Sequence, residues 1–182
     1  MKGPSGTQKR MQDIRTGDLV ESESGKFLPV LGWLDISRET TTPFLYLHTN
    51  LSSSVGLTAS HVIFTYSRSE ATVITKYARD LAVGDILIHE DTGNKAEITK
   101  IDTKVQDGFY SPLTSSGTLV VDGFLVSCYA SYPHQVAHAA VLPIRLFPTW
   151  FLDDSSSQEG VGAFLGFIKS IGNLVNIRNS YF

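Results

Sequence analysis

The chain carries one cysteine, Cys128, so no disulfide can form within it. It has no run approaching the roughly eighteen uninterrupted apolar residues that a membrane-spanning helix needs. No block of basic residues is present either. Its 15 Lys and Arg against 18 Asp and Glu leave a net charge of −3, which gives nucleic acid little to hold. The first residues, Met1 to Thr7, lack an apolar core segment, so no signal peptide is expected in the chain as written. His134 and His138 have the i, i+4 spacing that suits a metal on a helix face. No third ligand at suitable spacing accompanies them and no glutamate lies between, so no metal site is expected. What remains, 42% hydrophobic and 18% charged over 182 residues, is the composition of a soluble globular chain able to bury a core.

The most informative positive feature is internal repetition. Asp13-Ile14-Arg15-Thr16-Gly17-Asp18-Leu19-Val20 reappears 67 residues later as Asp80-Leu81-Ala82-Val83-Gly84-Asp85-Ile86-Leu87. Leu34-Asp35 returns as Ile101-Asp102, and Gly56 with Ser60-His61 returns as Gly123 with Ser127-Cys128, at the same offset. Two copies are too few for a solenoid, so the repeat predicts two halves packed as one body around a pseudo-twofold axis. It also makes His61 and Cys128 counterparts near that axis. Asp18 and Asp85, each following a glycine, read as turn residues repeated for structural reasons.

Between Leu19 and Ser131 short β-type runs alternate with turn chemistry. The expected strands are 19–21, 28–34, 45–48, 56–66, 72–75, 85–89, 96–102, 108–110 and 118–132. Such a pattern predicts a mainly β body with pseudo-symmetric lobes. Beyond it, Pro133 to Val141 reads as a helix with proline in its first turn. Asp153 to Glu159 is a polar linker. In the last segment Val161, Phe164, Leu165, Ile168, Ile171 and Val175 fall on one helical stripe. Gly160, Gly162, Gly166 and Gly172 each weaken that helix by roughly 1 kcal/mol relative to alanine, so it needs a surface to lie on. The expected division is 1–131 for the β body, with halves near 7–68 and 74–135, and 132–182 for the helical region.

Four side chains could do chemistry. Thr58 and His61, three residues apart in an apolar strand-turn setting, could polarise or protonate a bound amide, although a histidine between apolar neighbours is more often a core residue. Asp35 in Gly32-Trp33-Leu34-Asp35-Ile36 reads either as a general base or as a capping residue at a strand end. Cys128 follows a strongly apolar strand, where inert packing is the default.

Taken together, the segments Lys9 to Val20, Leu34-Asp35, Leu57 to His61, Tyr110 to Thr114, Gly117 to Gly123, Ser127 to Ala130, Ala137-His138 and Pro143 to Leu146 resemble the C-terminal autoprocessing domain of hedgehog-family proteins. That module shares its duplicated β fold, the Hint fold, with inteins, and the resemblance covers nearly the whole chain. It implies a self-cleaving peptidase and cholesterol transferase acting in cis. A cysteine at the domain's first position forms an internal thioester with the preceding residue, and Thr58 and His61 match the pair that acts on the scissile amide. Asp35 matches the acid that serves attack of a sterol hydroxyl on the thioester. Cys128 matches a cysteine in a supporting role, and the stripe from Val161 to Val175 matches the sterol-recognition region.

The chain departs from the family pattern in one respect. The nucleophilic cysteine and its strand do not occur in this sequence, so the polypeptide by itself is expected to be inactive. It reads as a piece of a competent precursor, or alternatively as an inactive sterol- or membrane-binding module on the same scaffold. Protein splicing is disfavoured because the chain runs on past Cys128, and a Cys128–His61 hydrolase lacks a third group to orient the histidine. No cofactor is expected beyond cholesterol as acceptor substrate. The expected partners are the upstream signalling segment in cis, a sterol and a membrane surface, with no nucleic acid, and the chain is expected to be a monomer. The full precursor would belong to the secretory pathway.

Overall fold

The two copies of the repeat begin with the same local structure, built from the same residue types. In the first, Met11–Asp13 forms a 3-10 turn and Leu19–Glu21 the strand β1; in the second, Ala78–Asp80 and Ile86–Ile88 (β6) do the same 67 positions on. Between turn and strand the chain reverses at Gly17 and Gly84, whose φ values of 88° and 96° lie in the left-handed region that only glycine enters without strain. The following aspartate closes each turn. Asp18 accepts from the Arg15 backbone N–H at 2.9 Å, and Asp85 from that of Ala82 at 2.9 Å. Even the ion pairs repeat, Lys9 on Asp18 and Lys76 on Asp85, each at 2.9 Å.

The computed structural model describes residues 1–90, 95–130 and 134–146. Among these the chain continues from β1 through β2 (Phe27–Thr49), β3 (Ser54–Thr58), β4 (His61–Ser67) and β5 (Thr72–Tyr77) to β6, then β7 (Lys95–Thr114), β8 (Thr118–Val121) and β9 (Phe124–Ala130). Two short helices, α1 (His134–Ala140) and α2 (Leu142–Leu146), follow. The long strands β2 and β7, one from each half, run antiparallel from Val30↔Thr114 to Thr49↔Ile98, with irregularities that bend the pair. The sheet order is β1-β2-β7-β6-β4-β9-β8, with β3 added on β2 and β5 on β4. Its two ends meet: Ser22, just after β1, hydrogen-bonds the Thr118 hydroxyl at 2.8 Å and the Ser116 hydroxyl at 2.9 Å. The enclosed core includes Ile36, Leu47, Ile63, Leu87, Leu113 and Phe124, all fully buried.

Several strand boundaries differ from expectation. The runs 28–34 and 45–48 belong to one 23-residue strand, because pairing with β7 carries the polar residues Ser37 to Thr42 along with them. The run 56–66 breaks at Ala59-Ser60, where the chain leaves β2 to join β9. The run 118–132 folds back at Asp122-Gly123, both at positive φ (51° and 88°), the two-residue turn that hairpin twist favours. Gly123 is thus a turn residue, whereas Gly56 sits inside β3, so that match is one of sequence alone. For the same reason His61 opens β4 while Cys128 lies mid-way along β9; the fixed offset holds through β7 and slips at the hairpin.

Helix α1 packs on β9, and Val141 between the helices and Ile144 of α2 are buried in the core. Arg145 donates to the Ser115 carbonyl at 2.6 Å. His134 Nδ1 bonds the Ser127 hydroxyl and His138 Nδ1 the Tyr129 hydroxyl, so both rings pin α1 to β9. The polar linker and the stripe at Val161, Phe164, Leu165, Ile168, Ile171 and Val175 lie outside the described residues.

Candidate functional site

A cavity of about 680 Å³ opens between the two halves, and Asp35, Thr58, His61 and Cys128 all line it. Each arrives on a different strand. Thr58 ends β3 and His61 begins β4, so the two-residue turn Ala59-Ser60 carries the chain from one to the other. That turn is tied down by the Arg79 N–H, which donates to the Ala59 carbonyl at 3.0 Å. Asp35 lies on β2 opposite Ser111 of β7, next to a register irregularity that begins at Trp33. Ser111 in turn donates its hydroxyl proton to the Cys128 carbonyl at 2.9 Å, linking β7 to β9 beside the aspartate.

His61 has a defined tautomer. Its Nε2 lies 2.9 Å from the Ser127 carbonyl oxygen, which can only accept, so Nε2 carries the proton and the neutral ring keeps its lone pair on Nδ1. Burial pushes the imidazole pKa down to about 4, against a smaller upward pull from the Ser127 carbonyl. At neutral pH the ring is therefore an uncharged acceptor through Nδ1, and once protonated it would be a strong acid.

Cys128 is the opposite case. It is fully buried, and desolvation of the thiolate raises the thiol to about 11. Thr114 gives its own hydroxyl proton to the Thr118 carbonyl at 2.7 Å. Its oxygen, 3.6 Å from the sulfur, is left to accept from the Cys128 S–H. The side chain is a protonated thiol at neutral pH and a poor nucleophile.

The repeat placed Asp35 and Asp102 in equivalent positions, but their surroundings differ. Asp102 is partly exposed and held by Lys100 at 2.7 Å and His48 at 3.1 Å, and its carboxyl pKa is lowered chiefly by the Lys100 hydrogen bond. Asp35 alone of the two lines the cavity. Asp35 is neither at a strand end nor in a turn, so the capping role does not apply. Among the described residues no group of three or more His, Cys, Asp or Glu is placed to hold a metal ion.

Sequence reasoning overlooked Ser111, Thr114 and the Ser127 carbonyl. A serine in a strand gives no signal of its role, and a carbonyl gives none at all. Phe44 and Tyr46, which also line the cavity, could have been noticed as an alternating aromatic pair on one strand face.

This architecture is that of the intein fold. The gp41-1 intein superposes with a TM-score of 0.55 at 16% identity over 69% of this chain and 91% of its own. The MchDnaB-1 intein (N145AA) gives 0.55 at 14% identity, over 70% and 93%. Sequence narrows the assignment further. The family model described as the Hint module matches residues 2–177, and the chain belongs to that family as a hedgehog-type Hint domain. It is 31% identical over 187 residues to the Indian hedgehog B protein of Danio rerio, covering 93% of this chain and 45% of that protein. To Warthog protein 1 of Caenorhabditis elegans it is 29% identical over 177 residues, covering 94% and 34%. The chain thus spans about half the length, or less, of these curated relatives.

Proposed function

We propose that this chain is the autoprocessing part of a hedgehog-like precursor of the secretory pathway, which cleaves itself through a thioester and passes its upstream segment to a sterol. The observation that carries the reading is the convergence of Asp35, Thr58 and His61 on one cavity, with the lone pair of His61 fixed on Nδ1. The attacking sulfur is not Cys128, the sequence's single cysteine, because burial keeps that thiol protonated. It belongs to a cysteine on a strand supplied upstream of this sequence.

In the first step that sulfur attacks the preceding carbonyl carbon. The C–S bond forms, the peptide C–N bond breaks, and the Thr58 hydroxyl donates a hydrogen bond to the polarised amide. His61 Nδ1 takes the thiol proton and returns it to the departing amine nitrogen, and the low basicity imposed by burial favours that return. In the second step a sterol hydroxyl attacks the thioester carbonyl. Asp35 accepts the hydroxyl proton, the ester bond forms and the thiolate leaves.

The test is a fusion in which a reporter ending in Gly-Cys-Phe and a β-strand precedes Met1. Dithiothreitol should cleave it, and His61→Ala should abolish thioester formation. Deleting Glu159 to Phe182 should spare thiol cleavage and impair sterol attachment. A fusion that neither thiol nor sterol cleaves would leave the second reading, a sterol- or membrane-binding module without the cleavage chemistry. The fact favouring that reading is that the sequence's one thiol is buried.

A further inference from the structure

We propose that Phe44 and Tyr46 form a seat within the cavity for the flat apolar body of the acceptor alcohol, a site that rests on the sterol-transfer reading above.

Register places the pair. Phe44 is the Cα partner of Thr58 on β3 and of Lys104 on β7; Tyr46 is the partner of Gly56 and of Asp102. Directly opposed residues of an antiparallel pair share a face, and so do alternate residues of one strand. Thr42, Phe44 and Tyr46 therefore stand on the same face as Thr58 and line the cavity with it, while Leu47 lies on the other face in the core. Both aromatics are only half-buried, which leaves apolar surface facing the cavity.

Tyr46 is held in one position. Gln106 Nε2 donates to its hydroxyl, and the Lys104 ammonium lies 4.8 Å from its ring centroid. The ring rests against Gly56, where an added Cβ would lie 3.1 Å from Cζ and 3.2 Å from Cε1. Glycine at that position is needed for close approach and not for its backbone angle, since its φ is not positive. A fixed ring costs little entropy on binding, which is what a preformed seat requires.

The backbone decides which substrate the seat suits. From Phe44 to His48, β2 is paired with β3 on one edge and with β7 on the other. An extended peptide binding there would find no free main-chain partners, whereas a rigid ring system needs none. A cavity of about 680 Å³ is of a size that holds small molecules. A polycyclic alcohol lying on Phe44 and Tyr46 shares the cavity with Thr58 and Asp35 and presents its hydroxyl to the reacting carbonyl there.

The test titrates the full 182-residue chain with the fluorescent sterol dehydroergosterol, alongside circular dichroism to verify folding. Phe44→Ala and Tyr46→Ala should each weaken binding by about tenfold. Gly56→Ala, whose added methyl presses on the Tyr46 ring, should weaken it by about threefold or more. Val105→Ala, at an exposed position on the other face, should stay within about twofold of the original chain. No saturable binding, or unchanged binding by a folded Phe44→Ala/Tyr46→Ala double variant, overturns the proposal. Binding needs no cleavage, so thiol cleavage of the fusion can succeed while this titration fails; the seat alone then falls.

Discussion

His61 donates its Nε2 proton to the backbone carbonyl of Ser127 at 2.9 Å, and that bond decides what the ring can do. It ties β4 to its sheet neighbour β9 beside the cavity and leaves Nδ1 as the ring's acceptor. A backbone partner cannot be mutated away, so the orientation depends on the fold itself.

Acid should weaken the fold in a defined window. His61 is depressed to about 4 in the folded state and titrates near 6.5 when unfolded. Between these values the unfolded chain binds more protons, so stability is full above pH 6.5 and is lost as pH falls towards 4. For His61 the loss is on the order of 3 kcal/mol. His138, also pushed down to about 4 by burial, and His134, lowered by burial, add in the same direction. Unfolding midpoints measured from pH 7 to pH 4 should fall steadily, and His61→Gln should flatten part of the slope. A pH-independent midpoint over this range would contradict the assigned burial.

Cys128 should be unreactive in the folded chain. With the thiol fully buried and raised to about 11, iodoacetamide at pH 8 should leave it unmodified for hours and label it at once in denaturant. Mass spectrometry reads the difference. Rapid labelling of folded protein would mean an exposed or activated thiol.

Gly117 should be far less tolerant than Gly6, although both have positive φ (72° and 76°). A Cβ at Gly117 would lie 2.4 Å from His138 Nδ1 and 2.7 Å from the Tyr129 hydroxyl, whereas one at Gly6 meets nothing within 4 Å. Gly117→Ala should cost about 2–4 kcal/mol and loosen α1 from β9, against about 1–2 kcal/mol for Gly6→Ala. Urea denaturation of the two variants makes the comparison, and equal costs would mean that α1 does not rest on Tyr129 as described.

The duplicated turns should respond alike. Asp18→Ala and Asp85→Ala each remove a turn acceptor and a lysine partner at the same distances, so each should cost about 1 kcal/mol. Thermal denaturation would show a mismatch if one half carried more of the stability than the other.

The turns, and the strands that begin each half, were legible because glycine and aspartate impose local geometry that needs no tertiary context. The 67-residue offset survives intact in β1 and β6 and in the 3-10 turns before them. The single long strand β2 was not legible, since Ser37 to Thr42 are polar and join the two apolar runs only through pairing of Ser37, Thr41 and Thr42 with β7, across a break in register. Asp35, Thr58 and His61 were visible as residues, but their shared cavity was not, because it depends on how β2, β3 and β4 cross. The tautomer of His61 depends on the Ser127 carbonyl and the thiol state of Cys128 on its complete burial, and neither leaves a trace in sequence pattern.

The most direct measurement compares the fusion protein and its Asp35→Ala variant under two nucleophiles, dithiothreitol and cholesterol. If Asp35 serves only the alcohol, the variant should cleave with thiol at the rate of the unaltered fusion while esterification by cholesterol falls by about a hundredfold or more. Loss of both reactions together, in a variant that remains folded, would contradict the division of labour between Asp35 and the Thr58–His61 pair.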